Sequence, residues 1–195
     1  YLTLTDSMYQ DDQEGLKAIM SPPLRKKDDQ EALWQALSDD VLDVVATDHC
    51  PFNYSIEKQA GAHDFTACPN GAPGVEGRLR VMFSEGVAKK RITLPQLVKY
   101  LCTNPCRMYG LYPEKGTLLP GSDADLVLFD PEKERVLTHK DMHSAVDYTC
   151  YEGMTVKGDI DLVMQRGKVI VKENVFLGKK GDGRYLKRSR SILAR

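Results

Sequence analysis

Several things are scarce in this 195-residue chain, and each scarcity excludes a class of protein. Cysteine is limited to Cys50, Cys68, Cys102, Cys106 and Cys150, an odd number without CxxC spacing. That argues against a disulfide framework or a structural zinc knuckle, and for a reducing, cytoplasmic setting. No apolar run approaches the roughly 18 residues a membrane span needs, and no signal peptide is legible. Net charge is only −1, so the overall balance calls for no nucleic-acid or polyanion partner. The local exception runs from Lys179 through Arg184, Lys187, Arg188 and Arg190 to Arg195, read as a solvated or subunit-contacting tail. Repeats and low-complexity tracts are missing. The chain also opens on Tyr1-Leu2-Thr3-Leu4 rather than Met, and the expectation is that it starts within a longer polypeptide.

What is present is a soluble, globular composition, 42% hydrophobic and 28% charged, with enough length for one large or two small domains. Leu16 to Met20 reads as a short strand end, broken by Ser21-Pro22-Pro23 because proline continues neither ladder nor helix. Asp28 or Asp29 is then expected to cap a helix over 30–37, with Leu33, Trp34 and Leu37 on its inner face. Val41 to Ala46 is almost continuously apolar, as a parallel strand covered on both faces would be. Strand, loop, helix and strand together make a βαβ unit.

Residues 51–77 form a Gly-, Pro-, Asn- and Asp-rich loop too long for mere connection. Helices are predicted over 75–87 and from the capping box Thr93-Leu94-Pro95-Gln96 to about Leu101, with a short turn from Asn104-Pro105 to Gly110. After Pro113 the period changes to two. Strands are expected over 124–129, 135–138, 154–157, 160–165 and 168–171, with Arg166-Gly167 as a hairpin turn. The change of pattern places a domain boundary near 112–118.

The stretch richest in chemistry is Val44-Val45-Ala46-Thr47-Asp48-His49-Cys50-Pro51-Phe52. An apolar run ends abruptly on an acid, an imidazole and a thiol, residue types that bind zinc or move protons. In a barrel of alternating strands and helices, active sites are built at the carboxyl ends of strands. Asp48 is therefore the leading candidate; a turn or helix-capping aspartate is the plainer alternative. His49, adjacent on a strand, would point to the other side and is read as a packing or supporting residue. Cys50 is expected to be a buried, inert thiol. Glu76 and Arg78 read as an ion-pair anchor, His63 as a loop residue, and His139 and His143 as structural.

Further motifs carry a resemblance. They are Met20-Ser21-Pro22-Pro23-Leu24-Arg25, Ala46-Thr47-Asp48-His49-Cys50-Pro51-Phe52 and Pro69-Asn70-Gly71-Ala72-Pro73-Gly74-Val75-Glu76. Thr103-Asn104-Pro105 with Gly110-Leu111-Tyr112-Pro113, and Lys115-Gly116-Thr117 with Gly121-Ser122-Asp123-Ala124-Asp125-Leu126-Val127, complete the set. In this order the chain resembles the C-terminal part of the D-hydantoinase/dihydropyrimidinase family of cyclic amidohydrolases. The resemblance implies an α/β fold: residues 1–115 as the last strands and helices of a (β/α)8 metal-dependent hydrolase barrel, 116–178 as a small β-sandwich domain, and 179–195 as the basic tail.

It also implies zinc-dependent opening of hydantoins or 5,6-dihydropyrimidines to N-carbamoyl amino acids, in a homo-oligomer, usually a tetramer. The family's two zinc ions are bridged by a carboxylated lysine, and of the metal ligands only Asp48 lies in this chain. No His-x-His pair occurs, so the fragment alone is expected to be inactive. Asp48 would serve as metal ligand and as the group that accepts the proton released on attack and returns it to the departing ring nitrogen. Ser21 and Asn70 resemble the substrate clamps, acting through backbone groups that match the alternating donors and acceptors of a cyclic ureide. On residue pattern alone they are as well explained as turn residues. Two other readings stay open: a non-catalytic scaffold of the collapsin-response-mediator type, and a related cyclic amidohydrolase such as allantoinase.

Overall fold

A computed structural model of the chain describes residues 1–192; Arg195, the last basic residue of the predicted tail, lies outside the described residues. Helices dominate the first 110 residues and an antiparallel sheet follows. The order is α1 (Glu14–Lys17), α2 (Lys27–Ser38), α3 (Arg78–Met82), α4 (Leu94–Val98), α5 (Asn104–Met108), then β1 (Leu126–Val136), β2 (Thr155–Gln165), β3 (Lys168–Lys172) and β4 (Val175–Phe176).

Two expected strands are absent from this list. Leu16, predicted to begin a strand, lies in α1, because the Asp11 carboxylate accepts the Gln13 and Glu14 N–H groups at 2.9 and 2.8 Å and starts a helical turn. Residues 41–46 run without a ladder. A parallel strand needs a neighbour to pair with, and here the backbone bonds go elsewhere: Val45 N–H donates to the Tyr100 carbonyl at 3.3 Å, and Asn104 Nδ2 donates to that of Asp43 at 2.8 Å. The parallel pairing that does form is a single bridge, His49 to Ala72.

Helix α2 begins three residues earlier than expected. Its N-cap is Lys26, and Asp29 sits in the first turn, where its carboxylate accepts the Lys26 N–H at 3.2 Å. Trp34 and Leu37 face inward as predicted and join Met82, Phe83, Ile92, Leu97 and Tyr100 in the main core. Trp34 Nε1 donates to the Leu2 carbonyl at 2.9 Å, so the core indole keeps its polar atom satisfied. The helix predicted over 75–87 begins at Arg78 and continues past Met82 as wider turns over Phe83–Ala88. The Thr93 capping box forms as written, Thr93 Oγ1 accepting from Gln96 N–H and Gln96 Oε1 accepting from Thr93 N–H.

In the sheet, each predicted pair of strand pieces is one long strand. Pro131 cannot donate to a ladder, so β1 breaks register between Asp130 and Glu134 and then resumes. Gly158 does the same in β2. Its φ is +90°, and a side chain there would meet the Phe129 ring at 2.4 Å. Arg166-Gly167 turns the β2–β3 hairpin with φ of +48° and +78°, as a primed two-residue turn requires. Among the described residues one sheet forms rather than a two-sheet sandwich.

Helix α3 and the turns that follow it form one junction between the two parts. Phe83 packs on Phe129 with ring centroids 4.7 Å apart, and Val81 shares a second core with Leu137 and Val156. Arg80, 7% exposed at its side chain, bonds Asp159 at 2.6 Å, and Arg135 bonds the other Asp159 oxygen at 3.0 Å. The described tail residues are mostly exposed, as expected, and they also fold back on the same chain. Arg184 reaches Glu114 and Asp123, each at 3.0 Å, and Ser189 N–H donates to the Gly110 carbonyl at 2.9 Å.

Candidate active site

Asp48 ends the apolar run at the rim of a cleft of about 300 Å³. Leu2, Leu4, Met20, Leu42, Val44 and Arg78 are among the residues lining it. The size is at the lower end of what small ligands occupy. Asp48 is not in extended conformation as a strand residue would be: its φ is +47°, in the left-handed region. Aspartate tolerates that region better than most residues, and backbone outliers of this kind cluster at functional sites. His49 does turn away, as expected. Its Nδ1 accepts from the Gly74 N–H at 3.1 Å, and its ring borders a different, closed crevice with Val75, Glu76 and His139.

Ser21 and Asn70 are both exposed, and neither lines the cleft wall itself. Their segments are nevertheless knitted to the Asp48 segment. Gly71 N–H donates to the Ile19 carbonyl at 3.0 Å, and Cys50 N–H donates to the Ala72 carbonyl at 3.3 Å. Tyr1, at the cleft, donates its hydroxyl to the Pro22 carbonyl at 2.5 Å. Burial raises the Tyr1 phenol above its ordinary value, and the nearby Tyr9 and Asp48 charges add to the rise. Gly71 is where the three segments come closest. Its φ is +147°, and a Cβ there would lie 2.5 Å from the Cys50 carbonyl oxygen.

Lys58 is a residue that sequence reading passed over, and it is completely buried. Its ammonium donates to the Ile19 carbonyl at 2.9 Å and to the Pro69 carbonyl at 2.8 Å. Burial pushes it below the ordinary lysine range, opposed by the thiols of Cys68, Cys150 and Cys50. Nothing in a Gly- and Asp-rich loop marks one lysine as buried, because the carbonyls that receive it come from segments remote in sequence.

The neighbouring expectations fare unevenly. Cys50 is exposed rather than buried, since Gly71 covers its Cβ side alone. Glu76 pairs with His143 at 2.8 Å, across to the sheet part, whereas Arg78 donates to the Val45 carbonyl at 3.3 Å and makes no local pair with Glu76. His63 is an exposed loop residue, and His139 bonds Glu152 at 3.0 Å. Among the described residues no three His, Cys, Asp or Glu side chains converge where a metal ion could sit. Asp48 offers one hard oxygen donor, so this chain's own residues do not complete a metal centre.

Residues 2–170 match the amidohydrolase family. The chain belongs to that family. Within it, the chain is 48% identical over 189 residues to a D-hydantoinase of Rhizobium radiobacter, covering 96% of this chain and 41% of that one. It is 44% identical over 188 residues to a D-phenylhydantoinase of Escherichia coli O1:K1, with the same coverage of each. The solved dihydropyrimidinase of Brevibacillus agri superposes with a TM-score of 0.95 at 45% identity, over all of this chain and 42% of that structure. This amidohydrolase chain thus spans about two fifths of the length of the relatives it matches. Its fold class is α/β, as that of its structural neighbours is. Among the described residues no helix is long and apolar enough to cross a membrane.

Proposed function

We propose that the protein carrying this chain hydrolyses the cyclic amide bond of hydantoins or 5,6-dihydropyrimidines, giving N-carbamoyl amino acids. The observation that carries this is the convergence of three irregular segments, around Ser21, Asp48 and Asn70, at one cleft in an amidohydrolase. In this reading residues 1–115 are the closing part of a (β/α)8 barrel, with 41–46 as a strand whose neighbours lie outside the chain. Residues 116–178 form part of a small β-sandwich and 179–195 the tail. The almost continuous apolar run of 41–46 supports it, since a central parallel strand is covered on both faces.

A cyclic ureide presents an edge of alternating N–H donors and carbonyl acceptors. Backbone groups at Ser21 and Asn70, in segments that form no ladder, supply the complementary edge without adding charge. The Asp48 carboxylate stands where the scissile amide would lie. There it accepts the proton of the attacking water and returns it to the ring nitrogen, which then leaves as the neutral NH2 of the carbamoyl group. The apolar wall from Leu42, Val44 and Leu4 keeps bulk water from the ring and strengthens each of these bonds.

Two zinc ions, bridged by a carboxylated lysine outside this chain, belong to the same proposal, with Asp48 as the ligand this chain contributes. Bound there, they would polarise the amide carbonyl and ease ionisation of water. Self-association as a homotetramer is also part of it, and the exposed Val175 and Phe176 supply apolar surface for a second copy.

The test is zinc content and turnover of the complete protein, with and without Asp48→Ala. About two metals per chain and hydantoin turnover, both falling on substitution with turnover down about 10²–10⁴-fold, are expected. A folded protein with neither metal nor turnover would leave the scaffold reading in its place.

A further inference from the structure

A fully buried ammonium bound only to main-chain oxygens is an expensive arrangement, because removing a cation from water costs several kcal/mol unless its new partners are well placed. Lys58 has such partners in the carbonyls of Ile19 and Pro69. The first lies two residues before Ser21 and the second directly precedes Asn70. Ile19 O also accepts the Gly71 N–H at 3.0 Å, so both its lone pairs are used. The lysine itself is also held from a third segment, through its own N–H to the Asn53 carbonyl at 3.0 Å and the Phe52 ring 5.8 Å from Nζ. One cation therefore sits between the two segments that carry the proposed ureide contacts, and it fixes their separation from a third point.

We propose that Lys58 is a positioning residue for substrate: it locks the Ser21 and Asn70 loops at the spacing that a cyclic ureide edge requires. This rests on the hydrolase reading above and adds to it a residue that touches neither substrate nor Asp48. A neutral side chain of similar length would take the ammonium donor from the Pro69 carbonyl and leave the Ile19 carbonyl with the Gly71 N–H alone, and the loops would part by some fraction of an ångström. Binding of the ring then suffers, while proton transfer at Asp48 is left alone.

The experiment is steady-state kinetics of the complete protein with hydantoin and dihydrouracil, comparing wild type, Lys58→Met and Lys58→Arg. For Lys58→Met the expected result is KM raised about tenfold or more with kcat within about threefold, and zinc content unchanged. Lys58→Arg, which retains donors for both carbonyls, is expected to recover part of the loss, and Lys58→Gln, too short to reach both carbonyls, carries the test if Lys58→Met does not fold. A folded Lys58→Met, or failing that Lys58→Gln, with wild-type KM overturns the clamp. So does a parallel fall of kcat and zinc content, which marks a general structural role. A wild type that opens no cyclic ureide removes the hydrolase reading, and the clamp with it, whereas an active wild type confines any failure to the clamp.

Discussion

At the scale of single residues, the backbone rather than the side chain carries much of the candidate site. Gly71 shows how closely it is built. Replacing it with alanine would place a methyl 2.5 Å from the Cys50 carbonyl and force an L-residue to φ +147°. Gly71→Ala is therefore expected to cost about 1–3 kcal/mol and to displace the Asn70 segment. A lowered midpoint in denaturant, with unchanged slope, would show the first effect; a raised KM in the complete protein would show the second. Asp48 was legible because an acid at the end of an apolar run is conspicuous. Its left-handed backbone was not, since the sequence read there as continuous strand. Ser21 and Asn70 were read from their motifs alone, and the burial of Lys58 was missed because it depends on carbonyls 39 and 11 residues away.

At the scale of elements, α3 and β2 are held by one buried charge cluster. Removing Arg80 takes away the most buried cation of the cluster and leaves the Asp159 carboxylate with Arg135 as its remaining ion-pair partner. Arg80→Met is therefore expected to cost about 2–3 kcal/mol, read from chemical denaturation. The pH dependence has a definite sign. Burial alone would raise the Asp159 carboxyl, but Arg80, the Ile160 N–H and Arg135 outweigh it and hold it below the usual carboxylate range. A depressed folded pKa gives stability that is complete above the unfolded value, about 3.9, and is lost as pH falls through the lower folded value. Asp159→Asn should flatten that acid loss below about pH 4 while lowering stability at pH 7. Elements whose signals are local were read correctly: the Thr93 capping box, the inner face of α2, and the Arg166-Gly167 turn. Elements that depend on a partner were not. Residues 41–46 look like a strand and form no ladder, and β1 and β2 continue through a proline and a glycine that read as their ends.

At the scale of the whole molecule, the helical and sheet parts touch through α3, through the Glu76–His143 pair, through the Tyr54 and Ser55 N–H groups on Asp147, and again through the returning tail, on both sides of the 111–125 connection. Leu118 and Leu119 in that connection are 77% and 55% exposed, so a protease has access to them. A cut there should yield two fragments that co-elute on a sizing column and separate only in denaturant. Fragments that part in buffer would mean that these contacts do not bind the halves strongly enough. The connection is then a tether rather than a hinge. A chain so arranged can be encoded in two pieces divided at Leu118–Leu119 that find each other unaided, so that one half can be isotopically labelled and the other left silent before the two are mixed.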